Sequence, residues 1–206
     1  SVTVSALSSI LEGATSATGI VSLGQSGAAD LVVALSSSTP SRLTVPATVI
    51  IPAGQSSTTF TLVAPDNNQV DGNHTATVTA SLAGSSPGTT TVQVIDNENR
   101  NLNLVLFYTT LVEGSAPVPS GGYVSLSGST PTPVVITLSS NDISELEVPT
   151  SVTINAGSST TPYFPLTTVD DAIFDGTQTV IVTANASTFV SSTKTITIQD
   201  NDNLTL

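Results

Sequence analysis

The run His74-Thr75-Ala76-Thr77-Val78-Thr79-Ala80-Ser81-Leu82 puts Ala76, Val78, Ala80 and Leu82 on one side of an extended chain and Thr75, Thr77, Thr79 and Ser81 on the other. Such a period of two belongs to a strand with one buried and one solvated face. Asp71-Gly72 before it and Gly84-Ser85-Ser86-Pro87-Gly88 after it are turn residues. A second alternating run, Thr89 to Ile95, follows at once, so the pair reads as an antiparallel hairpin.

Outward from this hairpin the same grammar continues in both directions. Period-two apolar runs separated by Gly, Pro, Ser, Asn or Asp predict strands near 2–10, 18–24, 30–35, 42–51, 57–63, 74–82 and 89–95. A second set falls near 102–111, 121–127, 133–139, 146–154, 160–168, 177–184 and 192–199. No window of helical length sustains an apolar period of 3.6, and the abundance of Thr and Val disfavours helix.

The two sets are copies of one unit. Ile10-Leu11-Glu12-Gly13 matches Leu111-Val112-Glu113-Gly114, and Val49-Ile50-Ile51-Pro52-Ala53-Gly54 matches Val152-Thr153-Ile154-Asn155-Ala156-Gly157. Asp66 to Gly72 matches Asp170 to Gly176, and Val94-Ile95-Asp96-Asn97-Glu98-Asn99 matches Ile198-Gln199-Asp200-Asn201-Asp202-Asn203. Four anchors in one order predict a tandem duplication with domains at 1–99 and 100–206. The predicted fold class is all-β: two tandem immunoglobulin-like antiparallel sandwiches of about seven strands each. Asp200 to Leu206 is similar to Asp96 to Leu104, which runs into a strand, so a longer array or a polymer of such units is expected.

Composition narrows the function. Fifteen acids against three bases give a formal net charge of −12, which repels nucleic acid and anionic membrane surfaces. With no Cys there is neither a disulfide framework nor a thiolate metal site. No apolar run is long enough for a membrane helix. N-x-[ST] sequons stand at Asn73, Asn185 and Asn203. An extracellular or cell-surface location is expected.

Enzymatic chemistry is not expected. His74 is the only histidine, Gln178 replaces it in the second copy, and it reads as an exposed strand residue. Tyr108, Tyr123, Tyr163 and the five Phe are thinly spread along the chain and read as core packing rather than as a sugar platform.

The acids themselves are patterned. Glu12, Asp66, Asp71, Asp96 and Glu98 follow the first, fifth and seventh predicted strands of copy one. Glu113, Asp170, Asp171, Asp175, Asp200 and Asp202 repeat the arrangement, while Asp142, Glu145 and Glu147 follow the third strand of copy two. In an antiparallel sandwich of seven alternating strands, segments after odd strands share one pole, so these carboxylates are predicted to converge where the chain leaves each domain. Close carboxylate pairs repel by about 4 kcal/mol each at an effective dielectric of about 20. Ca²⁺, which takes six to eight oxygens, offsets this better than the compact octahedron of Mg²⁺. Turn chemistry of Asp, Asn and Gly accounts for part of the same pattern.

Three motifs carry a family resemblance: E-G after the first strand, D-D-x-x-x-[D/E]-G before the sixth, and D-N-[D/E]-N after the seventh, all present in both copies except that Asn67 replaces the second Asp in copy one. Together they resemble Calx-beta domains, over essentially all 206 residues. The resemblance implies calcium ligands at Glu12, Asp66, Asp71, Asp96 and Glu98 in copy one. In copy two it implies Glu113, Asp142, Asp170, Asp171, Asp175, Asp200 and Asp202. The chain departs from the family pattern in having Asp71 and Asp175 where Glu is usual.

The function expected on these grounds is a structural or adhesive extracellular repeat, with Ca²⁺ at the inter-domain pole stiffening an array and neighbouring copies of the module as partners. Two rivals remain: a metal-free spacer or filament subunit assembling by strand exchange, and an accessory module of a secreted enzyme or carbohydrate binder. A surface or glycan ligand would be an unidentified partner.

Overall fold

A computed structural model describes residues 1–14 and 16–202; the Asn203 sequon and the residues expected to open a further copy lie outside the described residues. The chain is all-β, and among the described residues no helix is long and apolar enough to cross a membrane. It divides into two compact units, Ser1–Asn97 and Glu98–Leu206.

In the first unit, β1 (Val2–Ser5), β3 (Ala17–Leu23) and β6 (Ser57–Leu62) form a three-stranded sheet in the order β1-β3-β6. The other sheet has five strands: β2 (Ser9–Leu11), β8 (Gly88–Ile95), β7 (His74–Ser81), β4 (Leu31–Ser37) and β5 (Thr48–Ile51), in that order across the sheet. The opening hairpin is β7 and β8, in register from His74 against Val94 to Ala80 against Gly88. Ala76, Val78 and Ala80 of β7, Val33 and Leu35 of β4, Val2 and Val4 of β1, and Phe60 and Leu62 of β6 share one buried cluster, so the two sheets face each other across a common core.

The second unit repeats the plan. One sheet has the order β13 (Leu146–Glu147), β15 (Phe164–Thr168), β11 (Val118–Ser125), β9 (Asn103–Leu106). The other runs β10 (Thr110–Val112), β17 (Ser192–Gln199), β16 (Gln178–Asn185), β12 (Val134–Ser140), β14 (Ser151–Ile154). Leu104, Val124, Phe164 and Leu166 from the first sheet and Ile136, Leu138, Val180, Val182, Ile196 and Ile198 from the second are all buried.

The strand expected over 2–10 is two strands, as is the one over 102–111. β1 pairs antiparallel with β3, whereas β2 pairs parallel with β8 in the opposite sheet. β9 and β10 part in the same way, β10 running parallel to β17. Alternation alone does not reveal the switch, because the more buried residues of both halves keep the same period of two. The run expected over 42–51 likewise contributes only Thr48–Ile51, with Thr44 bridging Val63. Pro46 lacks a donor for a continuous ladder and separates the two pieces.

The aromatic residues are less scattered than their spacing suggests. Ring centroids of Phe107, Tyr123 and Tyr163 lie 5.4–5.9 Å apart. Register is the cause: Gly122 stands opposite both Leu106 and Phe164, which draws their sequence neighbours Tyr123, Phe107 and Tyr163 together. Phe107 and Tyr163 are exposed, so this is a surface cluster and not core.

Candidate metal centre

The switching strand places the first acid of each pole. Immediately after β10, the Glu113 backbone N–H donates to the Gln199 carbonyl at 3.0 Å, extending the parallel ladder by one residue. The Glu113 side chain is thereby carried inward and is buried. Its Oε1 accepts the Asp171 N–H at 2.8 Å. Gly114 follows at φ +61°, a conformation side chains resist, and a Cβ there would collide with the Asp170 carboxylate. The E-G pair thus turns the chain and leaves room for the acid from the loop before β16.

The remaining acids of the second pole arrive on three connections. Asp200 follows β17 and accepts N–H donors from Gly176 at 2.8 Å and Asp202 at 2.6 Å. These backbone donors hold its pKa below the ordinary carboxylate value. Asn201 cross-links the pole, its Nδ2 donating to the Glu113 carbonyl at 2.8 Å and to Asp170 Oδ1 at 3.1 Å. Carboxylate oxygens of Glu113, Asp200 and Asp202 lie within 4.8 Å of one another. Among the described residues Asp202 Oδ2 is buried with no hydrogen-bond partner, and burial first, then the charges of Asp200, Asp170, Asp171 and Asp175, raises the Asp202 pKa.

Glu145 is the member that motif reading left out of the ligand set. It sits between β12 and β13, only 6% exposed, immediately before the fully buried Leu146. A tight turn fixes it: Leu146 N–H donates to the Asp142 carbonyl at 3.1 Å, and Asp142 Oδ1 accepts the Ser144 N–H at 3.1 Å. Burial raises the Glu145 pKa, and Asp175, Glu113, Asp142 and Asp171 raise it further. Among the described residues no Lys, Arg or His forms an ion pair with any acid of this pole. Asp142, Asp170, Asp171 and Asp175 all act electrostatically on Glu145 or Asp202, so the second set of sequence-predicted ligands gathers at one end of its unit.

The first pole has the same skeleton. The Glu12 N–H donates to the Ile95 carbonyl at 2.9 Å, and the Asn97 amide reaches the Glu12 carbonyl at 3.4 Å. Asp96 Oδ2 accepts N–H donors from Asp71 at 3.1 Å and Gly72 at 2.5 Å. Asp96, on the segment leaving β8, acts electrostatically on Glu12. Asp66 caps its own turn, accepting the Asn68 N–H at 3.3 Å, and its charge acts on Glu12.

What differs is a guanidinium. Arg42 Nη2 bonds Asp71 Oδ2, and Nη1 lies 3.6 Å from Glu12 Oε1. His74, expected as an exposed strand residue, is half-buried at the start of β7 with Nε2 3.1 Å from Asp71 Oδ1. The D-G turn places Asp71 three residues before it, within reach of the ring. Burial pushes the Glu12 carboxyl above its ordinary pKa, Arg42 pulls it down, and Asp71, Asp96 and Asp66 push it up again.

No family model matches the chain, and no curated protein does. Among solved structures it is similar to the calcium binding domain CBD12 of CALX1.1 at 11% identity and TM-score 0.39, over 86% of this chain and 75% of that one. It is also similar to domains 4 and 5 of the S-layer protein SbsC, at 12% identity and TM-score 0.36 over 97% of both chains. Cadherin domains 3–6 of protocadherin gamma B2 match at 12% identity and TM-score 0.37, over 95% of this chain and 45% of theirs. At such scores the likeness says nothing about what this chain binds.

Proposed function

We propose that the chain is a structural or adhesive tandem module of the cell exterior whose second sandwich takes a Ca²⁺ ion at its exit pole. The observation that carries this reading is Glu145, buried among carboxylates with no cation paired to it, beside the 4.8 Å cluster of Glu113, Asp200 and Asp202. A buried, unpaired charge is costly, and metal coordination is one of the two ordinary ways to offset it. The donor set is all oxygen, carboxylates with an Asn side chain and backbone carbonyls close by, which suits a hard cation. Glu113, Glu145, Asp200 and Asp202 would hold the ion, with Asp142, Asp170, Asp171 and Asp175 supplying outer or exchangeable oxygens. The motif resemblance to Calx-beta domains supports the same reading.

An ion bound only by the folded state stabilises it by about 2.7 kcal/mol at a hundredfold excess over Kd. Thermal unfolding of the full chain in calcium chloride and in EDTA tests this. Calcium raises the Tm of the second unit, magnesium raises it less, and Asp202→Asn with Glu113→Gln abolishes the shift. An unchanged melting curve across millimolar calcium would remove the metal from the proposal.

A second reading rests on the Phe107, Tyr123 and Tyr163 cluster, which with Thr160 and Thr161 lines a shallow depression on the second unit. The exposed rings of Phe107 and Tyr163 beside the Thr160 hydroxyl suit a neutral saccharide. The interplanar angles of 41–78° favour gripping a single sugar ring over lying flat on a polymer sheet.

A further inference from the structure

The two poles carry opposite charges at one equivalent position. Arg42 and Glu145 each stand five residues past the end of their strand, β4 ending at Ser37 and β12 at Ser140. Each precedes a leucine, Leu43 or Leu146, that is fully buried. Each occupies the same kind of turn, with the leucine N–H donating to the carbonyl of Thr39 at 2.9 Å or of Asp142 at 3.1 Å. The backbone therefore delivers either side chain to the pole in the same way.

We infer that Arg42 is the resident counter-ion of the first sandwich, so that the first unit folds without metal and only the second takes up a divalent cation. The guanidinium bonds Asp71 and lies 3.6 Å from Glu12 Oε1, an ion-pair approach that leaves this oxygen with no hydrogen-bond partner among the described residues; the two acid side chains are 5% and 1% exposed. Those are two of the acids that the motif pattern assigns to a metal, and a planar fork suits two carboxylates at once. His74 and the Asn67 amide also bond Asp71, leaving it with three donors. In the second unit Gln178 stands in place of His74, and its amide reaches only the Asp175 carbonyl, at 3.5 Å. Glu145 adds negative charge at the position where Arg42 removes it.

The inference about the first unit stands by itself; the expectation of a single ion rests also on the proposed function of the second. Isothermal titration of the full chain with calcium chloride, paired with melting curves in EDTA, tests both. The wild-type chain takes up one ion, and chelation lowers the Tm of the second unit alone. Arg42→Glu, which copies the second pole, lowers the Tm of the first unit in EDTA, and calcium chloride restores it with a stoichiometry of two. Glu145→Arg, the reciprocal change, gives a chain that binds no calcium and whose second unit no longer responds to EDTA.

Should Arg42→Glu fail to fold, Arg42→Gln keeps much of the side chain and removes its charge, and calcium must again restore the first unit. Two ions bound by the wild-type chain, one of them lost in Glu12→Gln, would overturn the inference, as would an Arg42→Gln chain whose first unit ignores calcium. If the wild type binds none while Arg42→Glu binds one, Arg42 keeps its role and the proposed function of the second unit fails.

Discussion

At the scale of the residue, the poles turn on a few side chains whose surroundings oppose their chemistry. Gly114 combines a left-handed φ with a carboxylate lying where a Cβ would project. Gly114→Ala should therefore cost about 1–3 kcal/mol, read as a fall in the urea midpoint of the second unit. An unchanged midpoint would mean that Asp170 swings away freely. Glu145 sets the pH dependence. Its folded pKa is raised, so the folded state binds its proton more readily than the unfolded chain does. In metal-stripped protein, stability of the second unit then rises as pH falls from neutrality toward the ordinary glutamate value of about 4.3. Asp200, whose pKa is lowered, gives up its contribution only at still lower pH. With calcium present the slope reverses, because protons compete with the ion for oxygen. Glu145→Gln should raise the metal-free Tm at neutral pH and flatten the acid-side rise. Identical pH profiles for variant and wild type would show that burial of this charge costs nothing.

At the scale of the element, a loop anchored by one leucine decides what reaches each pole. Leu146 is fully buried, and Leu146→Ala should destabilise the second unit by about 2–5 kcal/mol, read by denaturant unfolding. The same substitution should weaken calcium binding beyond what the lost stability accounts for, since Glu145 then loses its fixed approach. Equal affinity in the folded fraction would show that the loop is positioned by something else. Most strands were legible because each keeps one buried face, as in β7 and β8. The sheet switch between β1 and β2 was not, because period two records which residues are buried and not which partner strand they bond. Arg42 was missed for a different reason. Attention to where acids recur passes over the single position where a base has replaced one, although Ser41-Arg42-Leu43 aligned with Ser144-Glu145-Leu146 displays the exchange.

At the scale of the whole molecule, the two compact units share one plan, as the repeated sequence anchors lead one to expect, and differ at their poles. The connections after β2, β6 and β8 of the first unit, and after β10, β12, β15 and β17 of the second, carry Glu12 and the acids that act on it, on Glu145 and on Asp202; these are the segments after the first, third, fifth and seventh strands expected from the sequence. The aromatic cluster escaped notice because Phe107, Tyr123 and Tyr163 are far apart in the chain and meet only through register. One further consequence concerns load. The early strand β10 and the last strand β17 of the second unit run parallel, as β2 and β8 do in the first. Tension that draws the two ends of such a unit apart pulls these neighbours lengthwise past each other, so their ladder bonds bear the force together instead of parting singly like a zip. Glu113 lies just beyond β10, and Asp200 and Asp202 just beyond β17. A cation held among them would act as a rivet at the end of that sliding seam, hardening the part of the sandwich that takes the strain first.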